Sequence, residues 1–307
     1  MGKLIDISIV SPVYNASLIL PKLVQEIEKV MVEMDVTYEI ILVDDRSPDN
    51  SWKIMQDLSI TNLNLKIFRL SRNFGQHPTI MAGLSKANGQ WVVVMDCDLQ
   101  DQPKEIKKLY SKACQGYDVV MAKRHYRKDG FFKKLSSKMF AMVFNYLSDT
   151  KLNHEVANFG IYKSKVIKEV LKMGDYIKSF PLFVYFLGFE SIAIPVEHAN
   201  REEGKSNYSF SKLLDLAFNS IIAYSNKPLK IIINIGLAIS MISFLLGIYY
   251  AIKYLYGNVL VAGYTSLIIS IFFLSGIIIS VIGVLGVYLG KVFEQTKNRP
   301  SFVFDEE

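Results

Sequence analysis

The chain has 307 residues, half of them apolar, and a net charge of +6. That length admits one large or two ordinary domains, and the apolar share is high for a wholly soluble protein. Two cysteines, Cys97 and Cys114, exclude a disulfide framework and lack zinc spacing, which suits a reducing compartment, and basic residues scattered without a nucleic-acid motif leave nucleic acid out of the expected partners.

The amino terminus, "MGKLIDISIVSPVY", has one Lys and a short apolar run broken by Asp6 and Pro12, so it does not read as a cleavable signal. Short β-rich runs then alternate with amphipathic stretches: strand "DISIVSPVY", a helix from Ser17 to about Met34, strand "YEIILVDD", a helix from about Asn50, strand "LKIFRLS", helix "HPTIMAGLSKA", strand "WVVVMD". Alternation of this kind predicts a parallel sheet covered by helices on both faces, with ligands at the carboxyl ends of the strands. The polar clusters fall at those ends. Pro12, Tyr14 and Asn15 close the first strand, Asp44, Asp45, Arg46 and Ser47 the second, and Asp96, Cys97 and Asp98 the fourth, while Arg72, Asn73, Phe74 and Gly75 follow the third.

Asp96, Asp98 and Gln100 offer hard oxygen ligands at alternating positions, suited to Mg2+ or Mn2+ carried by a diphosphate. Cys97 reads as a packing residue, Trp52 and Trp91 as core aromatics, and His77 as structural. Beyond "DVVMAKR" the segments lengthen. Phe131, Leu135, Met139, Val143 and Leu147 recur every four residues, predicting a helix over 131–147 that either lies in a membrane interface or packs in a core. In "HANREEGKSNYSF", Arg201, Lys205, Ser206 and Tyr208 surround Gly204, a loop that binds either a substrate phosphate or lipid headgroups.

A second amphipathic helix over 209–224 leads to Lys227, and the domain boundary is expected near Asn226. From Ile231 to Gly290 the single charged residue is Lys253, which separates two spans at about 231–252 and 264–289. Two buried core helices are the alternative, but such helices seldom stay uncharged on every face. Lys227 and Lys230 before the hairpin, and Lys291, Lys297 and Arg299 after it, put both chain ends in the cytoplasm. Gly236, Gly247, Gly276, Gly283 and Gly286 would let spans pack closely, as in a homo-oligomer.

Taken in order, "IVSPVYNAS", "EIILVDDRSPDNSW", "LSRNFGQHPTIMAGLSKANG", "VVVMDCDLQDQP", "REEGKSNY" and the closing "YLGKVFEQTKNRP" resemble the polyisoprenyl-phosphate glycosyltransferases of glycosyltransferase family 2, a group that includes bactoprenol glucosyltransferases and dolichyl-phosphate mannose synthases. The resemblance covers almost the whole chain and does not specify the sugar. It implies a cytoplasmic α/β domain of the GT-A, Rossmann-like fold over 1–226 with interfacial helices, a transmembrane hairpin over 227–290, and a cytoplasmic tail over 291–307.

It also implies roles. Pro12, Tyr14, Asn15, Asp44, Asp45 and Ser47 would hold the nucleotide sugar, with Asp96 joining them. Asp96, Asp98 and Gln100 would hold Mg2+ or Mn2+ with the diphosphate. Arg124, Arg201, Lys205 and Ser206 would receive the lipid phosphate or the leaving diphosphate. The reaction would invert the sugar's anomeric centre as a polyprenyl phosphate, undecaprenyl phosphate above all, attacks a UDP- or GDP-sugar at the bilayer of the cytoplasmic membrane. One departure stands out: many members carry an Asp where "VANFGIY" has Asn158, and an amide cannot act as a base. Glu155 is a second candidate for that charge. The competing readings are a membrane scaffold with an altered site, a transferase with another acceptor, and a processive synthase, whose Gln-x-x-Arg-Trp motif this chain lacks.

Overall fold

A computed structural model describes residues 4–124, 156–175, 179–197, 227–256 and 263–306. In chain order the elements are β1 (Ile7–Val13), α1 (Leu20–Met34), β2 (Tyr38–Asp44), α2 (Ser51–Thr61), β3 (Leu65–Leu70), α3 (Gln76–Lys86), β4 (Trp91–Val94), α4 (Ile106–Ala113), β5 (Val119–Arg124), β6 (Val156–Lys163), α5 (Ser164–Lys172), α6 (Phe180–Leu187), β7 (Ser191–Val196), α7 (Lys227–Leu255), α8 (Tyr264–Thr296) and β8 (Phe304–Glu306). They divide into two compact units. One holds the described residues 4–124, 156–175, 179–197 and 299–306, and the other residues 227–256 and 263–298.

The first unit is built on one eight-stranded sheet in the order β7-β5-β6-β4-β1-β2-β3-β8. β4, β1, β2 and β3 pair in parallel, as the alternating pattern predicts. Two strands run the other way: β6 pairs antiparallel with both β4 and β5, and β8 with β3. The sheet is therefore mixed, and its parallel part is narrower than a uniform β-α alternation would give.

Every residue of β1 is buried, because the strand has neighbours on both edges and helices on both faces. Ile7, Ile9 and Val13 point into one core layer with Leu23, Ile27, Met31 and Phe159, while Val10 joins Ile41, Val94, Ile80 and Phe180 in the other. Truncating Phe159 or Phe180, both fully buried, would cost about 3–5 kcal/mol. Helix α1 buries Leu20, Leu23, Val24, Ile27, Val30 and Met31, the spacing of one helical face, and ends at Asp35 in the left-handed region (φ 51°). It begins at Leu20, later than the expected Ser17, since the Ser17 N–H is taken by the Asp49 carboxylate (3.0 Å). Helix α3 presses closely on the sheet: a Cβ at Gly83 would lie 2.4 Å from Val10 Cγ1.

At the amino end of the sheet a buried acid is fully engaged. Glu39 accepts hydrogen bonds from Ser8 Oγ (2.5 Å), the Asn88 N–H (2.7 Å) and Lys66 Nζ (2.7 Å). Burial alone would raise its pKa, but the Lys66 and Ser8 hydrogen bonds outweigh that and hold it below its ordinary value. Gly89 donates its N–H to Ser8 Oγ (2.7 Å), and any Cβ there would lie 2.6 Å from the Ser8 backbone nitrogen.

The second unit contains two long apolar helices, α7 of 29 residues and α8 of 33. Lys227–Leu246 and Phe273–Thr296 have a mean hydropathy of 2.2, and none of their described residues is buried, unlike the residues of a core helix in a soluble protein. Large side chains such as Leu237, Phe244, Phe273 and Ile279 are exposed. In length and composition each helix can cross a bilayer. Helix α8 runs beyond the expected end of its span at 289, through Lys291 and Glu294 to Thr296.

Candidate functional site

Strand order sets the place. The run β4-β1-β2-β3 reverses direction between β1 and β4, and in open sheets of this kind the crevice beyond the carboxyl ends at such a reversal is where ligands bind. β1 delivers Tyr14 and Asn15 to one side of that crevice, and β4 delivers Asp96 and Asp98 to the other. Tyr14 is 52% exposed, while Pro12 is buried in β1. Burial, reinforced by Asp96, pushes the Cys97 thiol up to about 12, so this residue stays protonated and packs, as its sequence context suggests.

The loop after β2 is laced to the loop after β1. Ser47 Oγ accepts the Asn15 N–H (3.1 Å), Ser51 Oγ the Ala16 N–H (3.0 Å), and Asp49 both the Ser17 and Ser51 N–H groups. Asp44 is fully buried and divided between two donors, the Ser47 N–H (3.0 Å) and Arg69 Nε (3.1 Å). Arg69 stands 5.5 Å over the Trp52 ring. Asp45 accepts the Phe74 and Gly75 N–H groups (2.7 and 2.9 Å), which gives the Asn73-Phe74-Gly75 turn its purpose. Burial raises the Asp45 pKa above its ordinary value despite these bonds.

Asp96 and Asp98 are half-buried. Gln76, in the first turn of α3, donates its side-chain amide to Asp96 Oδ1 (2.7 Å), and the Gln100 N–H donates to Asp98 Oδ1 (3.1 Å). Three non-glycine residues with left-handed backbone cluster in these loops: Asn15 (φ 54°), Arg46 (φ 57°) and Leu99 (φ 55°). Strain of this kind gathers where a site dictates the backbone. Among the described residues no three His, Cys, Asp or Glu side chains form a protein-only metal cluster. Two hard carboxylates in a half-open crevice fit a divalent cation that takes its remaining oxygens from a bound phosphate.

Asn158 lies in β6, whose register with β4 runs from Trp91↔Lys163 to Val94↔Gly160. Asn158 precedes Gly160, the β6 residue paired with the last residue of β4, and so lies at the carboxyl end of β4, the end that leads to Asp96. Arg124 is the last residue of β5, paired in register with Val196, at the same end of the sheet. Arg201, Lys205, Ser206 and Glu155, together with the helices expected over 131–147 and 209–224, lie outside the described residues. Sequence reasoning missed Arg69 and Gln76. Nothing in the sequence marks a strand Arg as the partner of Asp44, whereas the position of Gln76 at a helix start beside the strand ends is a usable signal.

Residues 8–171 match the family model described as glycosyl transferase family 2. An uncharacterized glycosyltransferase of Bacillus subtilis is 33% identical over 304 residues, covering 99% of this chain and 94% of its own. An undecaprenyl-phosphate 4-deoxy-4-formamido-L-arabinose transferase of Proteus mirabilis is 32% identical over 303 residues, covering 98% and 93%. Among solved structures, a mannosyltransferase of Pyrobaculum calidifontis in complex with GDP-Man and Mn2+ superposes with a TM-score of 0.51 at 15% identity, over 75% of this chain and 65% of that one. That likeness extends to the fold.

Proposed function

The chain belongs to glycosyl transferase family 2, and from that premise we propose that it is a membrane-bound, inverting enzyme that moves a single sugar from a nucleotide-diphosphate sugar to polyprenyl phosphate. The observation that carries this reading is the crevice beside β1, flanked by the Asp44–Asp45 loop and the Asp96–Asp98 pair, in a chain that also bears two long apolar helices with no described residue buried in the spans. The Proteus mirabilis relative, named for undecaprenyl phosphate, aligns across those helices as well as the sheet.

In this mechanism the exposed Tyr14 ring stacks on the base, while Pro12, Asn15, Asp45 and Ser47 border the base and ribose, and Asp44 holds the loop through Ser47. Asp96 and Asp98, with Gln100, would hold Mg2+ or Mn2+, whose charge offsets that of the leaving diphosphate. Gln76 keeps Asp96 oriented through its amide bond. Arg124, Arg201, Lys205 and Ser206 receive the lipid phosphate or the departing diphosphate. Asn158 cannot take a proton, and little is asked of it, because a phosphate monoester with a second pKa near 6 is largely dianionic at neutral pH. Its amide can donate a hydrogen bond to substrate beside Asp96.

Connectivity as well as charge supports a two-crossing membrane arrangement. β8 lies after both apolar helices in the chain, yet pairs with β3, which lies before them. Two crossings would return the chain to the face it left, and Lys227, Lys230, Lys291, Lys297 and Arg299 support that face being the cytoplasmic one.

The test is transfer of label. Protein purified in detergent with Mg2+ or Mn2+ is given radiolabelled UDP- and GDP-sugars, with and without undecaprenyl phosphate, and label is followed into organic extract. Metal-dependent transfer of one sugar, cut roughly 100- to 1,000-fold in Asp98→Ala, is the expected result. If no donor labels the lipid while a homologous enzyme works under the same conditions, the reading is wrong, and a scaffold or another acceptor takes its place.

A further inference from the structure

The last described residues of the chain are fastened to the sheet beside the loop after β2, in three ways. Their backbone pairs with β3, Leu70 with Phe304 and Arg69 with Glu306, and the Ser71 N–H donates to the Val303 carbonyl (2.9 Å). Their aromatic rings pack: Phe304 lies 5.6 Å from Phe68 and 5.4 Å from Phe302, with Lys86 Nζ 4.6 Å from the Phe304 ring centre. Between the packed Phe304 and the paired Glu306, Asp305 accepts a hydrogen bond from the Arg46 guanidinium.

Arg46 is an unusual residue to anchor. It stands between Asp45 and Ser47 with φ 57°, a conformation that disfavours any side chain with a Cβ. Relaxing it to negative φ would reorient the peptide groups on either side. Ser47 would then lose its place between Asn15 and Asp44, and Asp45 its alignment with the Phe74 and Gly75 N–H groups. Asp44 is held from the same strand edge, by Arg69 of β3, the residue paired with Glu306.

We propose that Asp305 is a positioning residue for the donor nucleotide: through Arg46 it holds the Asp44–Ser47 loop in its binding conformation, so that the segment following the membrane helices takes part in donor recognition. This rests on the reading of Asp44, Asp45 and Ser47 as the nucleotide end of the site. The pair is partly solvated, with side chains 43% and 41% exposed, so the effect is moderate and sensitive to salt.

The experiment uses the full chain in detergent with Mn2+ and reads the Kd of UDP and of GDP by calorimetry, the KM for undecaprenyl phosphate, kcat and the melting temperature. Asp305→Ala is expected to weaken binding of the preferred nucleotide about two- to fivefold, the range of an exposed ion pair, with the acceptor KM and kcat unchanged. Asp305→Glu should stay near the parent protein. The exchange Arg46→Asp with Asp305→Arg should restore binding, Asp being more tolerant than most residues of the left-handed region. A lower melting temperature with unchanged nucleotide Kd would mean that the segment only covers a sheet edge, and would overturn the proposal. Tyr14→Ala separates the two layers. If it weakens nucleotide binding and Asp305→Ala does not, the positioning role alone is lost; if neither does, the assignment of the nucleotide site falls with it.

Discussion

Glu39 and Asp45 are both buried carboxylates near opposite ends of β2, and their surroundings pull their acidity in opposite directions. At the amino end Glu39 is met by a hydroxyl, a backbone N–H and a lysine, and its pKa falls. At the carboxyl end Asp45 is met by two backbone N–H groups with Asp44 as a neighbour, and burial raises its pKa. The first arrangement stabilises the fold. The second keeps a carboxylate in place at some expense to stability, which agrees with the donor site proposed there.

The contrast can be broken at either end. The largest effect is expected from Asp98→Ala, which should cut lipid labelling roughly 100- to 1,000-fold, the scale on which a group stabilising transition-state charge is lost, while leaving the melting temperature close to the parent's. Asn158→Ala should lose less, and a loss equal to that of Asp98→Ala would mean that the amide does more than orient substrate. Asp45→Asn should weaken donor binding about 10- to 100-fold, read by titration with UDP or GDP, with a smaller loss of stability than Glu39→Gln.

Glu39→Gln should leave donor binding intact and cost about 1–3 kcal/mol by denaturant unfolding at pH 7. Because the folded pKa of Glu39 is lowered, its stabilisation is in place above its ordinary value of 4.5 and disappears as pH falls through the folded value, so the gap between variant and parent should close in acid. Asp45 has the opposite sign: its raised folded pKa means that its charge weighs against the fold as pH climbs from 3.8 through that value. Smallest of all, Gln76→Ala should raise the Mn2+ concentration needed for half-maximal transfer by about threefold, less than is usual for residues that orient metal ligands, because Gln76 is exposed.

Much of the carboxyl end was legible because strand-terminal polar clusters are local in sequence. "ILVDDRS" and "VVVMDCD" each carry their strand and their acids within a few residues, and the strands form as read. The partners of those acids are long-range. Arg69 on Asp44 and the Asn73-Phe74-Gly75 turn under Asp45 depend on strand order, which no periodicity reports. β6 escaped notice for a related reason: "VANFGIYK" includes Asn158 and Gly160, poor strand formers, and is held as a strand by β4 and β5 on both edges. Gly160 is required there, since a Cβ would lie 2.9 Å from the Val120 carbonyl oxygen. β8 is three residues long, two of them acidic, and takes strand form because β3 offers it an open edge.

That late strand also bears on how the protein is made. Arg46 and Asp305 are 259 positions apart, and both apolar helices are translated between them. While the ribosome is still making the helices, the β3 edge carries unpaired backbone groups next to Phe68 and an incomplete loop after β2. Sheet completion therefore waits on helix synthesis, and a nascent chain stalled before β8 would present a sticky edge to its neighbours.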